Sequence, residues 1–307
     1  MRPKLLFADK THETALKLAQ EFADVDKDFE ITAEDLIKRV KDYDVLVVRS
    51  RTKVTREVID AGEKLKVIGR VGVGLDNIDT EYAKEKNIVV INAPTSLTVS
   101  VAELALGLMF CLARHLHHAD RTMKEGQWLK KNYYGIELYG KTVGIIGFGR
   151  IGRELAMKCN GLGMEIIAYD PYLTAEDMRE AYAKEVSLEE LLFNSDFVSI
   201  HIPATEETKN FMDYKKFAMM KPSAYFINTS RGLVVDEEGL VKALKEGKIA
   251  GAGLDVYNEE PLCPTHELCK MDNVMLTPHI GAGTEDAQII AGKIVVEGIG
   301  KIFDAEK

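Results

Sequence analysis

The chain lacks the features typical of disulfide-rich, membrane-spanning and nucleic-acid-binding proteins. Four cysteines in 307 residues are too few for a disulfide scaffold. The longest apolar stretch, 101–113, contains Glu103 and is too short to cross a bilayer, and Asp9 interrupts any secretory leader. A net charge of -9 gives no general attraction for nucleic acid or an anionic membrane. We therefore expect a cytoplasmic protein without nucleic-acid or membrane partners, whose anionic ligands are held by local positive sites.

Three potential metal ligands stand close together in the sequence. Cys263, His266 and Cys269 fall within seven residues, but no fourth ligand is evident, and structural zinc sites usually have four. The segment is more typical of a variable surface loop. We expect no bound metal.

Short β-rich runs alternate with amphipathic helical segments in both halves of the chain. This alternation predicts a parallel sheet in each half. The predicted strands are 4–8, 45–48, 66–69 and 88–91, then 142–146, 165–169, 197–200, 224–228, 250–255 and 274–276. A final helical segment, 285–303, follows the last strand and is free to return to the first half. We expect one domain from 1–98 with 283–307 and a second from 99–282.

A long apolar helix is predicted between the two halves. Ser100 and Glu103 have the spacing of a capping box, so we expect the helix to begin near Ser100. Its body, 104–116, is apolar on nearly all sides. This predicts burial against another domain or subunit.

A glycine-rich turn follows the first predicted strand of the second half. Gly147, Gly149 and Gly152 form G-x-G-x-x-G between an apolar strand and a helix. In that context the turn brings backbone amides and the helix N-terminus to a pyrophosphate. Asp170 follows the next strand, 18 residues after Gly152, at the spacing of the carboxylate that binds ribose hydroxyls. Because the carboxylate would repel a 2′-phosphate, NAD is favoured over NADP.

Three residues at predicted strand ends suit the oxidation of a 2-hydroxy acid. His279 is a candidate base for the hydroxyl proton, a neighbouring glutamate could stabilise its protonated form, and Arg231 could bind the substrate carboxylate in a bidentate fork. Spacing alone does not choose between Glu259 and Glu260. The carboxyl ends of parallel strands meet at one edge of a sheet, so we expect these side chains to converge.

The first half carries a second group of candidates for anion binding. Arg49 and Arg51 follow a strand, and guanidinium groups match phosphate oxygens. The turn containing Val71, Gly72 and Val73 offers amides for a carboxylate. These five residues are the predicted substrate contacts of the first domain.

Six segments together resemble the D-isomer-specific 2-hydroxyacid dehydrogenases over nearly the whole chain. The segments are VVRSRTKVT (47–55), GLDNID (74–79), GFGRIG (147–152), NTSRG (228–232), LDVYNEEP (254–261) and PHIGA (278–282). The resemblance implies two doubly wound α/β domains, a Rossmann NAD-binding domain inserted into a flavodoxin-like substrate-binding domain. It also assigns the catalytic roles to Arg231, Glu260 and His279, which selects Glu260 over Glu259.

The resemblance further implies the cofactor contacts, the assembly and the substrate. The implied contacts are Val73 through its backbone, Gly147, Gly149, Arg150, Ile151, Gly152, Asp170, Ile202, Pro203, Thr229, Asp255, His279, Gly281 and Ala282. It implies a homodimer through the long helix and weak phosphate candidates at Lys130 and Lys131. Relatives often add a C-terminal regulatory domain, which we expect to be absent here because the sequence stops at Lys307. A phosphorylated 2-hydroxy acid is the expected substrate. A glyoxylate or hydroxypyruvate reductase and a binding protein that senses NAD(H) are the alternatives.

Overall fold

The computed structural model describes residues 2–305 and divides the chain into two compact units. One unit is Met1–Leu97 with Ala282–Lys307, and the other is Thr98–Gly281. Each described sheet is entirely parallel. The predicted α/β fold with two parallel sheets is therefore confirmed.

The first unit has a five-stranded sheet of flavodoxin-like order. Its strands β1 to β5 are Lys4–Phe7, Asp24–Lys27, Val45–Val48, Val67–Arg70 and Val89–Ile91. They lie in the order β2-β1-β3-β4-β5, the 2-1-3-4-5 arrangement. The helices α1 to α4 and α12 are Glu13–Phe22, Ala33–Arg39, Arg56–Ala61, Thr80–Glu85 and Glu285–Ala305.

Strand β3 shows how this sheet is buried on both faces. None of its residues has exposed surface, and successive residues belong alternately to two apolar clusters. Leu46 and Val48 belong to one cluster, whereas Val45 and Val47 belong to the other, which also contains Val295 of α12. Covered parallel strands are apolar at successive positions for this reason.

The second unit has a seven-stranded sheet of Rossmann order. Its strands β6 to β12 are Thr142–Ile146, Glu165–Tyr169, Lys184–Glu185, Phe197–Ile200, Tyr225–Asn228, Gly251–Leu254 and Val274–Leu276. The order β8-β7-β6-β9-β10-β11-β12 places the first strand, β6, where the strand order reverses. The helices α5 to α11 are Thr98–Ala113, Leu116–Lys124, Arg150–Gly161, Ala175–Arg179, Leu188–Asn194, Tyr214–Met219 and Glu237–Lys245.

The elements missing from the sequence prediction are edge strands and short helices. Strands β2 and β8 are mostly exposed and charged, so they lack the apolar runs of the central strands. Helices α8 and α10, of five and six residues, were also not predicted. Helix α6 was predicted as neither a strand nor a helix.

Helix α5 begins earlier and ends earlier than predicted. It begins at Thr98, which places Ser100 in the first turn, and Glu103 pairs with Lys158 rather than capping. The predicted capping box is therefore wrong. The left-handed backbone of His115 separates α5 from α6, and the two helices are bent by 66°. In the described chain, no single helix meets the length and hydropathy required to cross a membrane, although this bent pair does when counted together.

Candidate active site

The three glycines after β6 serve three different purposes. Gly147 has φ +85, and a β-carbon there would lie 2.6 Å from the carbonyl oxygen of His201. A β-carbon on Gly152 would collide with the Gly147 carbonyl, so this glycine permits close packing of α7 on β6. Gly149 differs, because a β-carbon there would meet nothing within 4 Å. The open space therefore lies beside the middle glycine, where a phosphate needs to approach the backbone.

The N-terminus of α7 faces that space without a side-chain cap. Gly149 is the N-cap residue, and Arg150 and Ile151 begin the helix. Amides of a first helical turn have no partner within the helix, and the helix dipole is positive at this end. The turn thus has the backbone donors that an anion requires.

Asp170 joins the glycine turn to the end of β7. Its Oδ2 accepts a hydrogen bond from the Phe148 amide at 2.9 Å, and its Oδ1 accepts one from the Tyr172 amide at 3.0 Å. Each carboxylate oxygen has a second lone pair. Asp170 is therefore fixed beside the turn and keeps acceptor capacity for ribose hydroxyls, the contact that the sequence predicts.

Two buried polar atoms at the carboxyl ends of strands in this sheet have no hydrogen-bond partner among the described residues. They are Oγ1 of Thr229, after β10, and Nδ1 of His201, after β9. Buried polar atoms are usually paired, so both point to a polar ligand. Together with the open face of Gly149, they show that the residues present fit a dinucleotide.

The sequence analysis did not select His201. Burial lowers the pKa of His201 to about 4, so the ring is neutral near pH 7. Its Nε2 lies 2.9 Å from Ser199 Oγ. The available signal was its position directly after β9 and before the predicted contacts Ile202 and Pro203.

His279 and Glu260 form a hydrogen-bonded pair. Nδ1 of His279 lies 2.7 Å from Oε2 of Glu260, and both side chains are partly exposed. The other oxygen, Oε1, accepts from the Tyr257 amide at 3.1 Å. This orientation directs Nε2 of the imidazole away from the carboxylate. A base oriented in this way can exchange a proton with a substrate.

The loop carrying His279 is held by a buried carboxylate. Asp255 is 1% exposed and accepts from Thr277 Oγ1 at 2.7 Å and from the amides of Ile280 and Gly281 at 2.8 Å. His279 itself has φ 52, a left-handed conformation that is uncommon outside glycine. Because Asp255 binds the backbone beyond His279, it stabilises this loop. Sequence reasoning gave Asp255 only a cofactor contact, which stays a prediction.

The turn carrying Arg231 packs against the segment carrying Glu260. Asn228 is buried and binds the turn on both sides, because its Oδ1 accepts from the Ser230 amide and its Nδ2 donates to the Arg231 carbonyl. A β-carbon on Gly232 would collide with the backbone of Tyr257. The turn that carries Arg231 therefore packs against Tyr257, three residues before Glu260.

The arginine candidates of the first unit are organised by Asp9, which the sequence analysis missed. This buried carboxylate accepts from the Arg49 amide, Thr52 and Arg51 Nε. Arg51 also donates to the carbonyls of Ala8 and Ile31. The Arg49 guanidinium makes one hydrogen bond among the described residues, to the Lys10 carbonyl at 3.1 Å. Arg49 is therefore the better placed of the two for an external anion.

The turn after β4 differs from expectation at one position. The Val71 amide donates to the Val48 carbonyl at 2.9 Å, so the prediction of a free amide there is wrong. Gly72 has φ +144, and its carbonyl accepts from Ala93. The Val73 carbonyl accepts from Asn92. The Gly72 and Val73 contacts to substrate or cofactor stay predictions.

Cys263, His266 and Cys269, which are close in the sequence, do not form a metal-binding group in the structure. His266 accepts from the Leu268 amide through Nδ1, and its Nε2 faces Glu237. Within residues 2–305, no group of three or more His, Cys, Asp or Glu side chains is arranged to hold a metal ion.

The fold and this site define the class. Residues 106–281 match the family model described as D-isomer specific 2-hydroxyacid dehydrogenase, NAD binding domain. The chain belongs to that family, as its motifs predict, and its second unit is a nicotinamide-dinucleotide-binding domain.

Individual relatives differ in the reactions their names describe. The chain is 48% identical over 305 residues to D-3-phosphoglycerate dehydrogenase of Methanocaldococcus jannaschii, covering 99% of this chain and 58% of that one. It is also 48% identical over 284 residues to hydroxypyruvate reductase of Thermotoga maritima, covering 90% and 91%. A solved structure from Polaromonas, a D-isomer specific 2-hydroxyacid dehydrogenase by title, has a TM-score of 0.91 at 30% identity, covering 99% and 98%. The chain spans about half the length of the phosphoglycerate dehydrogenases it matches.

Proposed function

We propose that the protein oxidises 3-phospho-D-glycerate to 3-phosphohydroxypyruvate with NAD. The observation that carries the proposal is the His279–Glu260 pair, at 2.7 Å, with the Arg231 turn packed against the same segment. A base, a charge partner and a guanidinium are the groups that this oxidation requires. They follow strands of the sheet that carries the glycine turn.

Each side chain has a defined part in the proposed reaction. Nε2 of His279 takes the hydroxyl proton, and Glu260 stabilises the positive charge that the imidazole then carries. Arg231 binds the substrate carboxylate and polarises the adjacent carbon–oxygen bond. A bound NAD would supply the hydride acceptor. In the reverse direction His279 returns the proton to the keto oxygen.

We assign the cofactor contacts from the same geometry. The amides at the start of α7 would hold the pyrophosphate, Asp170 would bind the ribose hydroxyls, and Thr229 and His201 would bind other polar groups of the dinucleotide. A carboxylate at position 170 disfavours a 2′-phosphate, which supports NAD over NADP.

Arg49 is the proposed contact for the substrate phosphate. Its backbone is fixed by Asp9, while its guanidinium has one internal acceptor, compared with three for Arg51. An added charge-assisted contact contributes about 1.5–3 kcal/mol, which corresponds to a factor of about 10–150. A substrate lacking the phosphate should lose that factor.

A second candidate function is a hydroxypyruvate reductase. The relative of that name covers nine tenths of both chains at the same 48% identity. Steady-state kcat/KM with NADH distinguishes the two candidates. We expect 3-phosphohydroxypyruvate to exceed hydroxypyruvate and glyoxylate by at least about tenfold. Equal values, or a preference for an unphosphorylated acid, would reject the phosphate assignment.

Arginine variants locate the phosphate contact. Arg49→Gln should lower kcat/KM for 3-phosphohydroxypyruvate by about 10–150-fold and leave hydroxypyruvate within about threefold. Arg51→Gln is the matched control, because its loss disturbs internal contacts and should affect both substrates equally. A phosphate-selective loss in Arg51→Gln instead would move the contact to that residue.

One variant distinguishes an enzyme from a binding protein that senses NAD(H). His279→Ala should retain NADH binding and lose turnover by about two to four powers of ten. Tight NADH binding without turnover in the unmodified protein would favour the sensing role.

We also propose a homodimer that includes α5. This helix exposes Val99 and Phe110, and the following segment exposes Trp128 and Tyr139, with 77% and 75% of their surfaces accessible. Aromatic side chains are enriched at protein–protein interfaces, which supports this face as the contact. Light scattering should give twice the chain mass, and Phe110→Glu should reduce it to one chain.

A further inference from the structure

The loop that follows Glu260 carries two exposed thiols that the proposed reaction does not use. Cys263 and Cys269 are both free and exposed, and they lie three and nine residues after Glu260. The other two cysteines are a partly buried Cys111 and a fully buried Cys159. Burial raises the pKa of both of these thiols, that of Cys159 to about 12. Thiolate chemistry is therefore concentrated in this loop.

The loop folds back so that the side chain of Cys269 contacts the backbone of Cys263 across one turn. The carbonyl oxygen of Cys263 accepts from the His266 amide at 2.9 Å and from Sγ of Cys269 at 3.8 Å. The Cys269 amide in turn donates to the His266 carbonyl at 3.1 Å. The sulfur of one cysteine thus contacts the backbone of the other.

Cys263 has the properties of the attacking thiol. Its Sγ lies 3.1 Å from Oγ1 of Thr265, and this hydrogen bond lowers the pKa of the Cys263 thiol. A larger thiolate fraction at neutral pH favours attack on a disulfide. Pairing of the two sulfurs requires the Cys263 side chain to turn from Thr265 toward Cys269.

Cys269 also reaches the catalytic pair through a shared cavity. A cavity of about 390 Å³ is lined by Tyr257, Glu260, Pro261, Leu262, Cys269, Leu276, Thr277, Pro278 and His279. The lining of this cavity is mostly apolar. Movement of Cys269 therefore changes the wall of a cavity that Glu260 and His279 also line.

We propose that Cys263 and Cys269 are a thiol–disulfide exchange site whose oxidation lowers turnover. The co-reactant is a small-molecule disulfide. The Cys263 thiolate attacks one of its sulfurs, forming a mixed disulfide and releasing one small thiolate. The Cys269 thiolate then attacks the Cys263 sulfur and releases the second. Two cysteine thiols are oxidised to one disulfide, and one small disulfide is reduced to two thiols after the thiolates regain the two protons.

Oxidation affects the catalytic pair because the disulfide constrains the loop that follows Glu260. Closing 263–269 by a covalent bond fixes a segment that begins three residues after Glu260 and moves Cys269 in the shared cavity. A shift of about 1 Å at a reacting group can cost about a hundredfold in rate. We expect turnover to fall by at least about threefold, with a smaller change in KM. This effect on turnover rests on the proposed dehydrogenase activity, whereas the exchange site itself does not.

The test treats the full chain with glutathione disulfide and measures disulfide formation separately from activity. Both cysteines lie in the tryptic peptide 249–270. Without reduction, this peptide should lose the mass of two hydrogen atoms and should not retain glutathione. Turnover of whichever keto acid the reduced protein accepts should fall in parallel and recover with dithiothreitol.

Matched variants assign the effect to the pair. Cys263→Ser and Cys269→Ser should each keep the turnover of the reduced enzyme and resist inactivation, and Cys269→Ser should retain a glutathione adduct on Cys263. Cys111→Ser should respond like the unmodified chain. Absence of the internal disulfide, or a disulfide that forms with unchanged turnover, would overturn the proposal. If no keto acid is reduced, the proposed function fails, while peptide mapping still decides whether the exchange site exists.

Discussion

Replacing Asp255 by Asn removes one acceptor from the loop that carries His279. In the native protein the two carboxylate oxygens accept from Thr277 Oγ1 and from the Ile280 and Gly281 amides, all at 2.7–2.8 Å. An asparagine has only one acceptor oxygen, so its NH2 group must face at least one donor. If NH2 replaces Oδ2, the Gly281 amide is left buried without a partner.

The expected magnitude follows from this count. Leaving a buried donor unsatisfied costs about 1–3 kcal/mol, which corresponds to a factor of about 5–150 in the opening equilibrium of the loop. The left-handed backbone of His279 then loses part of the support that offsets its strain. Turnover should fall by about 10–100-fold because the imidazole is held less firmly against Glu260.

Amide hydrogen exchange measures the effect directly. Exchange at Ile280 or Gly281 should accelerate by about 5–150-fold, whereas the His201 amide, bonded to Ile146, should stay within about threefold. Thr277→Val is the matched control, since it removes a side-chain donor to Asp255 and leaves the hydrogen bonds from the Ile280 and Gly281 amides in place. Unchanged exchange at both loop amides in Asp255→Asn would refute the proposed role of this carboxylate.

Three further predictions test the dinucleotide site. Burial lowers the pKa of His201 to about 4, so as pH falls below about 6.5 the unfolded chain takes up a proton at this histidine before the folded chain does. The free energy of unfolding should therefore be unaffected by His201 above about pH 6.5 and should fall by about 3 kcal/mol toward pH 4. Denaturant titrations should not find this loss in His201→Gln. Gly149→Ala should keep the melting temperature and weaken NADH binding by at least about tenfold, whereas Gly152→Ala should lower stability by about 1–3 kcal/mol; calorimetry giving the reverse order would contradict the assignment of the two glycines. Asp170→Ala should reduce the preference for NADH over NADPH in kcat/KM by at least about tenfold, and an unchanged ratio would remove the ribose contact.

The central part of the fold could be predicted because burial on both faces leaves a strong pattern. The strand over 45–48 is apolar at every position because a covered parallel strand has no solvent face. The exposed edge strands β2 and β8 have no such requirement, so the charged residues of Asp24–Lys27 gave no signal. The start of α5 was misplaced because Ser100 and Glu103 have a capping spacing that carries no information about their neighbours. In the structure Glu103 pairs with Lys158, 55 positions later.

The amino-acid sequence by itself determined the family, the two parallel sheets, the glycine turn and the identity of the candidate catalytic side chains, because each depends on residue type at short spacing. Only the tertiary structure decided which groups are already engaged. In the folded chain Glu260 is hydrogen-bonded to His279, and the guanidinium of Arg51 is bonded to internal acceptors. Asp255 binds the backbone of the loop that carries His279. The tertiary structure also left Thr229 and His201 with buried polar atoms facing no protein partner among the described residues. These outcomes depend on contacts between residues distant in the chain, which local spacing cannot encode.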